Sequence, residues 1–121
     1  MQKLAKREEQ IMQSLWDLKK GFVKEIIENL AEPKPHYNTV STMVRILEDK
    51  GFIGHVAFGK THQYFPKISR EEYQKTAVGD VLGKYFDNSY SKMVAYFAEE
   101  ENISEHELEE ILKMIKNNKK S

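Results

Sequence analysis

The 121-residue chain contains no cysteine. That excludes disulfides, thiol chemistry and every Cys-ligated zinc or copper site. No apolar run approaches the roughly 20 residues that a membrane-spanning helix needs. No signal-peptide pattern follows Met1, so no membrane insertion is expected and the cytoplasm is the expected location. Net charge is also missing, since 19 Lys/Arg balance 19 Asp/Glu. There is no Gly-rich phosphate loop, no Gly-x-Ser-x-Gly and no metal-ligand motif. The histidines His36, His55, His62 and His106 stand at no ligand spacing. His55 and His62 could lie across a hairpin from each other, but two imidazoles alone make a poor zinc site. Enzyme activity, a cofactor and a metal are therefore not expected. Sequence repeats and low-complexity segments are absent as well.

What is present has a soluble globular balance, 31% charged and 40% hydrophobic. The charge is unevenly placed. Residues 1–68 hold 11 Lys/Arg and 8 Asp/Glu, and residues 69–121 hold 8 and 11. A basic front and an acidic back point to phosphate contact by the front alone.

Apolar spacing predicts a first helix over Lys6 to Leu18, with Ile11, Leu15 and Leu18 on one face, Met12 and Trp16 widening it, and Lys20-Gly21 ending it. Trp16 reads as core packing between this helix and a following hairpin. A second helix is predicted from Phe22 to Ala31, barred from continuing by Pro33 and Pro35. The third starts near His36–Asn38, with Asn38 the candidate N-cap. Its apolar face is Val40, Met43, Val44 and Leu47. Asn38, Ser41, Thr42 and Arg45 carry the opposite face, and all can hydrogen-bond base edges or phosphates. Gly51 stops it. Phe52 to Ala57 and His62 to Phe65 then read as two strands around Gly59-Lys60, which places Lys60 at the tip to touch backbone phosphate or shield a sheet edge. A polar-faced helix followed by a basic-tipped hairpin is the layout of a winged helix that meets DNA.

Beyond residue 68 the pattern is helical. Ser69-Arg70-Glu71-Glu72 is a capping-box pattern that opens a fourth helix to about Phe86. Asp87-Asn88-Ser89 can cap a fifth over Tyr90 to Glu100. Ser104-Glu105-His106-Glu107 opens a sixth, with Leu108, Ile111, Leu112 and Ile115 apolar. About 50 residues of helix hold little that could form a core of their own. The aromatic residues from Tyr85 to Phe97 therefore read as subunit interface rather than ligand pocket. The expected fold is mainly α with a small β-hairpin: a winged helix-turn-helix domain over residues 1–68, then a helical dimerisation region over 69–121. The expected dimer contacts are Tyr90, Phe97, Leu108, Ile111, Leu112 and Ile115.

This arrangement resembles the penicillinase-repressor family of bacterial regulators, the BlaI/MecI type, over nearly the whole chain. The resemblance is carried by Glu9-Gln10-Ile11-Met12 with Leu15-Trp16, by Thr39-Val40-Ser41-Thr42-Met43, and by Leu47 with Lys50-Gly51-Phe52-Ile53. It continues in the Tyr64 strand and in Phe97-Ala98, followed by an acidic patch and a last helix rich in Glu and Leu. It implies a homodimeric repressor whose front domain binds an inverted-repeat operator in double-stranded DNA and whose rear helices dimerise. The implied DNA contacts are Asn38, Thr39, Ser41, Thr42, Arg45 and Lys60. In the better-known members a membrane-bound zinc-peptidase sensor detects a β-lactam and triggers cleavage between an Asn and a Phe. The matching pair here is Tyr96-Phe97, which keeps the Phe and replaces the Asn. The copper-responsive branch carries a C-terminal cysteine cluster, which this chain lacks. Many members place a basic residue at the position of Ser41 and an Arg at that of Ile46, where this chain offers Arg45 instead. Two other functions compete with this one: a winged-helix module for protein interaction without DNA, and a repressor released by a small-molecule effector.

Overall fold

The computed structural model describes residues 3–100 and 103–119, and at 115, 118 and 119 only the backbone. Two compact units divide the chain, Met1–Ala77 and Val78–Ser121. Among the described residues there are six helices and one two-stranded sheet.

Ile11, Met12 and Leu15 form the buried stripe of α1 (Lys6–Leu18). The Glu8 carboxylate accepts the Ala5 N–H at 2.9 Å and so satisfies one orphan donor of the first turn. The helix spans Lys6–Leu18 as expected, but its stop is Lys19 rather than Lys20-Gly21. Lys19 takes φ 72° and its N–H donates to the Leu15 carbonyl at 2.7 Å. Gly21 pairs with Tyr64 instead, its N–H donating at 2.9 Å and its carbonyl accepting at 2.8 Å.

α2 (Val23–Glu28) is shorter at both ends than the predicted span of Phe22 to Ala31. The Glu25 carboxylate accepts the Phe22 N–H at 2.9 Å, leaving Phe22 outside the helix as its cap. At the far end Lys34 Nζ donates to the carbonyls of Ile27, Glu28 and Leu30 at 3.2, 3.0 and 2.8 Å. One ammonium group thus takes up the carbonyls that the end of a helix leaves without partners.

α3 (Tyr37–Asp49) buries Val40, Val44 and Leu47. Its N-cap is His36, whose side chain makes no capping hydrogen bond; Asn38, the expected cap, is already the second helical residue. At the other end Gly51 adopts φ +86°, a conformation that costs an L side chain dearly. The Gly51 N–H donates to Glu48 and the Phe52 N–H to Leu47, both at 3.0 Å. That paired reversal turns the chain so that Phe52 and Leu47 are both buried in the core. It also explains why β1 (Ile53–Phe58) begins one residue later than expected, because Phe52 is spent on the reversal. β1 pairs antiparallel with β2 (Thr61–Pro66), from Ile53 opposite Pro66 to Phe58 opposite Thr61. Gly59 takes φ +63° at the first of the two turn positions, where tight hairpins favour glycine.

Trp16 is partly buried and packs against the core as expected. Its Nε1–H donates to the Ile68 carbonyl at 2.8 Å, in the segment leaving β2, and the Arg70 guanidinium lies 5.7 Å over its ring. Its ring stands 5.9 Å from that of Tyr73, which is 6.1 Å from Phe52. The buried Tyr73 hydroxyl accepts from the Leu4 N–H at 3.3 Å and donates to Glu9 at 3.1 Å. Tyr73 stands in α4 (Arg70–Tyr85), whose start Ser69 caps by accepting the Glu72 N–H at 3.1 Å.

The second unit holds the rest of α4, then α5 (Tyr90–Glu99) and α6 (Glu105–Lys119). Ser89 accepts the Lys92 N–H and Ser104 the Glu107 N–H, each at 3.1 Å, so both expected caps form. Phe86, Tyr96 and Phe97 gather with ring centroids 5.4 to 6.4 Å apart. From Val78 onward, Leu82 is the one buried side chain among those described. No helix among the described residues is long and apolar enough to cross a membrane.

Candidate nucleic-acid interface

Because Val40, Val44 and Leu47 face the core, the helical repeat turns Asn38, Thr42 and Arg45 outward on α3. Thr39 and Ile46 lie to one side of that exposed face, and Ser41 lies to the other, toward the hairpin. Asn38, Thr39, Thr42 and Arg45 are exposed and Ser41 is half-buried. Arg45 does not extend freely into solvent. Its Nη2 donates to Ser41 Oγ at 3.1 Å, one turn back.

Lys60 occupies the second turn position between β1 and β2, fully outside the ladder. Thr61 Oγ1 donates to the Phe58 carbonyl at 2.9 Å and steadies the tip. Between α3, the start of α2 and this tip runs a groove of about 670 Å³. Lys24, Ser41, Arg45 and Lys60 line it with Tyr37 and His62. Its acidic neighbour Glu25 is already occupied by the Phe22 N–H. Three of the six expected DNA contacts thus share one groove, while Asn38, Thr39 and Thr42 stand on the helix surface beside it.

One contact that the sequence did not announce ties the hairpin to α3, and a second, expected across the ladder, joins its two strands. His55 Nδ1 and Glu48 Oε2 lie 2.6 Å apart. The His55 and His62 rings stack at 4.1 Å, nearly parallel. Across the ladder they are diagonal neighbours, His55 opposite Tyr64 and His62 opposite Ala57. Burial pushes the Tyr64 phenol above its usual range; the Glu48 charge adds to this and the Arg45 guanidinium opposes it. Among the described residues no group of three His, Asp or Glu could hold a metal.

Lys24 and Tyr37 were missed by sequence reasoning, since neither lies on the outward face of α3. Asp49 was missed too. It stands exposed on the outward side of the last turn of α3, where a carboxylate would repel phosphate. The exposed polar side chains of α3 other than this carboxylate therefore lie in its first two to three turns.

The expected dimer contacts lie in the second unit. Tyr90, Phe97, Ile111 and Leu112 are exposed and Leu108 is half-buried; the Ile115 side chain lies outside the described part. Tyr96 and Phe97 sit inside α5, where the Tyr96 carbonyl accepts the Glu100 N–H at 3.2 Å.

Known proteins resemble this chain along most of its length. The regulatory protein MecI of Staphylococcus aureus (strain N315), named for methicillin resistance, is 25% identical over 109 residues, which is 89% of either chain. The penicillinase repressor of Bacillus licheniformis is 23% identical over 111 residues, covering 91% of this chain and 87% of its own. The solution structure of the DNA-binding domain of the repressor BlaI superposes with a TM-score of 0.51 at 26% identity, covering 60% of this chain and 94% of that one. The first unit is accordingly a winged helix. The penicillinase repressor model matches residues 4–117, and the chain belongs to that family, one of DNA-binding regulators rather than enzymes.

Proposed function

We propose that the chain is a homodimeric repressor that binds an inverted-repeat operator in double-stranded DNA. Residues 1–68 would read DNA and residues 69–121 would dimerise. The observation that carries this is the groove between α3 and the hairpin tip, where Lys24, Arg45 and Lys60 converge beside an exposed polar helix face. A sugar-phosphate strand fits that chemistry. The three cations and the Ser41 hydroxyl would hold phosphates, which sets register and orientation. Asn38, Thr39 and Thr42, near the start of α3, would then meet base edges in the major groove.

Dimerisation is supported by the second unit, whose described apolar side chains, Leu82 apart, are left exposed or half-buried. A second copy would cover them and supply the two-fold symmetry of a paired operator. Release of the operator would follow cleavage in or near α5, at Tyr96-Phe97 or close by, set off by a membrane-bound zinc-peptidase sensor. Against a module for protein contact alone stands the convergence of cations in the α3 groove.

The test is a fluorescence-anisotropy titration of the full chain with mixed-sequence duplex at low and moderate salt. Binding whose logarithm falls steeply with log salt supports a phosphate-holding surface. An affinity below detection at both salt concentrations would leave only the protein-contact function standing.

A further inference from the structure

Ile46 is 42% exposed, although it belongs to a helix with a well-filled core face. It stands one turn after Thr42 and two turns after Thr39, on the flank of α3 away from the hairpin. Both threonines are exposed as well. The helical spacing sets Thr39, Thr42 and Ile46 in one row along α3, with Asn38 one turn before Thr42. The row belongs to the first unit and borders the polar face that would meet DNA. In the major groove the apolar group that base pairs offer is the C5-methyl of thymine.

We infer that Ile46, with Thr42 beside it, determines sequence preference by packing against a thymine methyl in each half-site. This rests on the proposal that α3 enters the major groove. The contact carries no charge, so it would add sequence preference without adding phosphate affinity.

The experiment uses the full chain. A preferred duplex is first enriched from a random-sequence pool. Each thymine is then replaced in turn by deoxyuridine, which removes the C5-methyl and keeps the base pair. At one thymine per half-site the swap should weaken binding by about fourfold per methyl, the ratio that one buried methyl carries. Ile46→Ala should weaken binding to the thymine duplex and become indifferent to the swap at that position. Ile46→Val, which keeps the branched shape, should retain part of the sensitivity. Affinity for mixed-sequence DNA and its salt slope should not change in either variant, which also confirms that both are folded. A flat uridine scan in the wild type overturns the inference, and so does full methyl sensitivity in Ile46→Ala. In both cases duplex binding itself would persist and the proposed function would stand. A wild type that binds no duplex overturns that function, and this contact with it.

Discussion

Arg45 is tied to Ser41 by a 3.1 Å hydrogen bond, and both line the groove that ends at Lys60. On the proposed mode of binding, that geometry would set Arg45 against the phosphate strand rather than a base edge. Arg45→Ala should therefore weaken binding to preferred and mixed-sequence duplexes by a similar factor. It should also lower the salt slope by about one unit. Lys60→Ala should behave alike. Anisotropy titrations across a salt series would check both. A changed base preference with an unchanged slope would move Arg45 onto a base.

Sequence position alone would not have tied Arg45 to phosphate. Its spacing from Ser41 is the ordinary helical one, so the bond was legible; the direction of the groove was not, because it depends on where the hairpin folds back. The same division runs through the fold. Ser69, Ser89 and Ser104 act as expected because a cap needs only its own first turn. Trp16 and Glu48 find their partners through the tertiary structure, at Ile68 and His55. The end of α1 at Leu18 was legible, but Lys19 makes the stop, while Gly21, which resembled it, serves a neighbouring strand as a pairing partner.

The Glu8 carboxyl is buried, which alone would raise its pKa. The Lys50 ammonium at 2.8 Å and the Ala5 N–H outweigh that and hold it below the ordinary carboxylate range. The unfolded chain then takes up this proton at higher pH than the folded one. The contribution to stability is present above the ordinary carboxylate range and is lost as pH falls through the folded value. Lys50→Met should cost about 1–3 kcal/mol near neutrality by leaving the Glu8 carboxylate short of partners. The deficit should shrink at acidic pH, where Glu8 can be protonated. Urea unfolding at two pH values measures this; an equal loss at both would remove Glu8 from the account.

Ile111 is 40% and Leu112 is 55% exposed on α6. Ile111→Glu and Leu112→Glu should each convert a dimer to monomers in sedimentation experiments. They should also weaken binding to a two-half-site duplex by about 10²-fold or more, with single half-site binding unchanged. A fully dimeric double variant would place the interface elsewhere.

The Tyr96-Phe97 bond lies within α5, and proteases bind extended segments, so scission requires α5 to unwind locally. Ser91→Ala, an exposed change that favours helix, should slow cleavage without changing DNA affinity. Mass spectrometry of the chain from induced cells, followed over time, gives the rate and the bond. An intact chain in fully derepressed cells would rule proteolysis out.

A helical half with Leu82 as its one buried described side chain has a bearing on gene dosage. If association supplies its stability, folding of this half is second order in chain concentration. At low abundance the operator-competent species then rises with the square of the monomer. A twofold fall in synthesis would cut that species about fourfold by mass action. Repression would then fall more than proportionally with repressor synthesis.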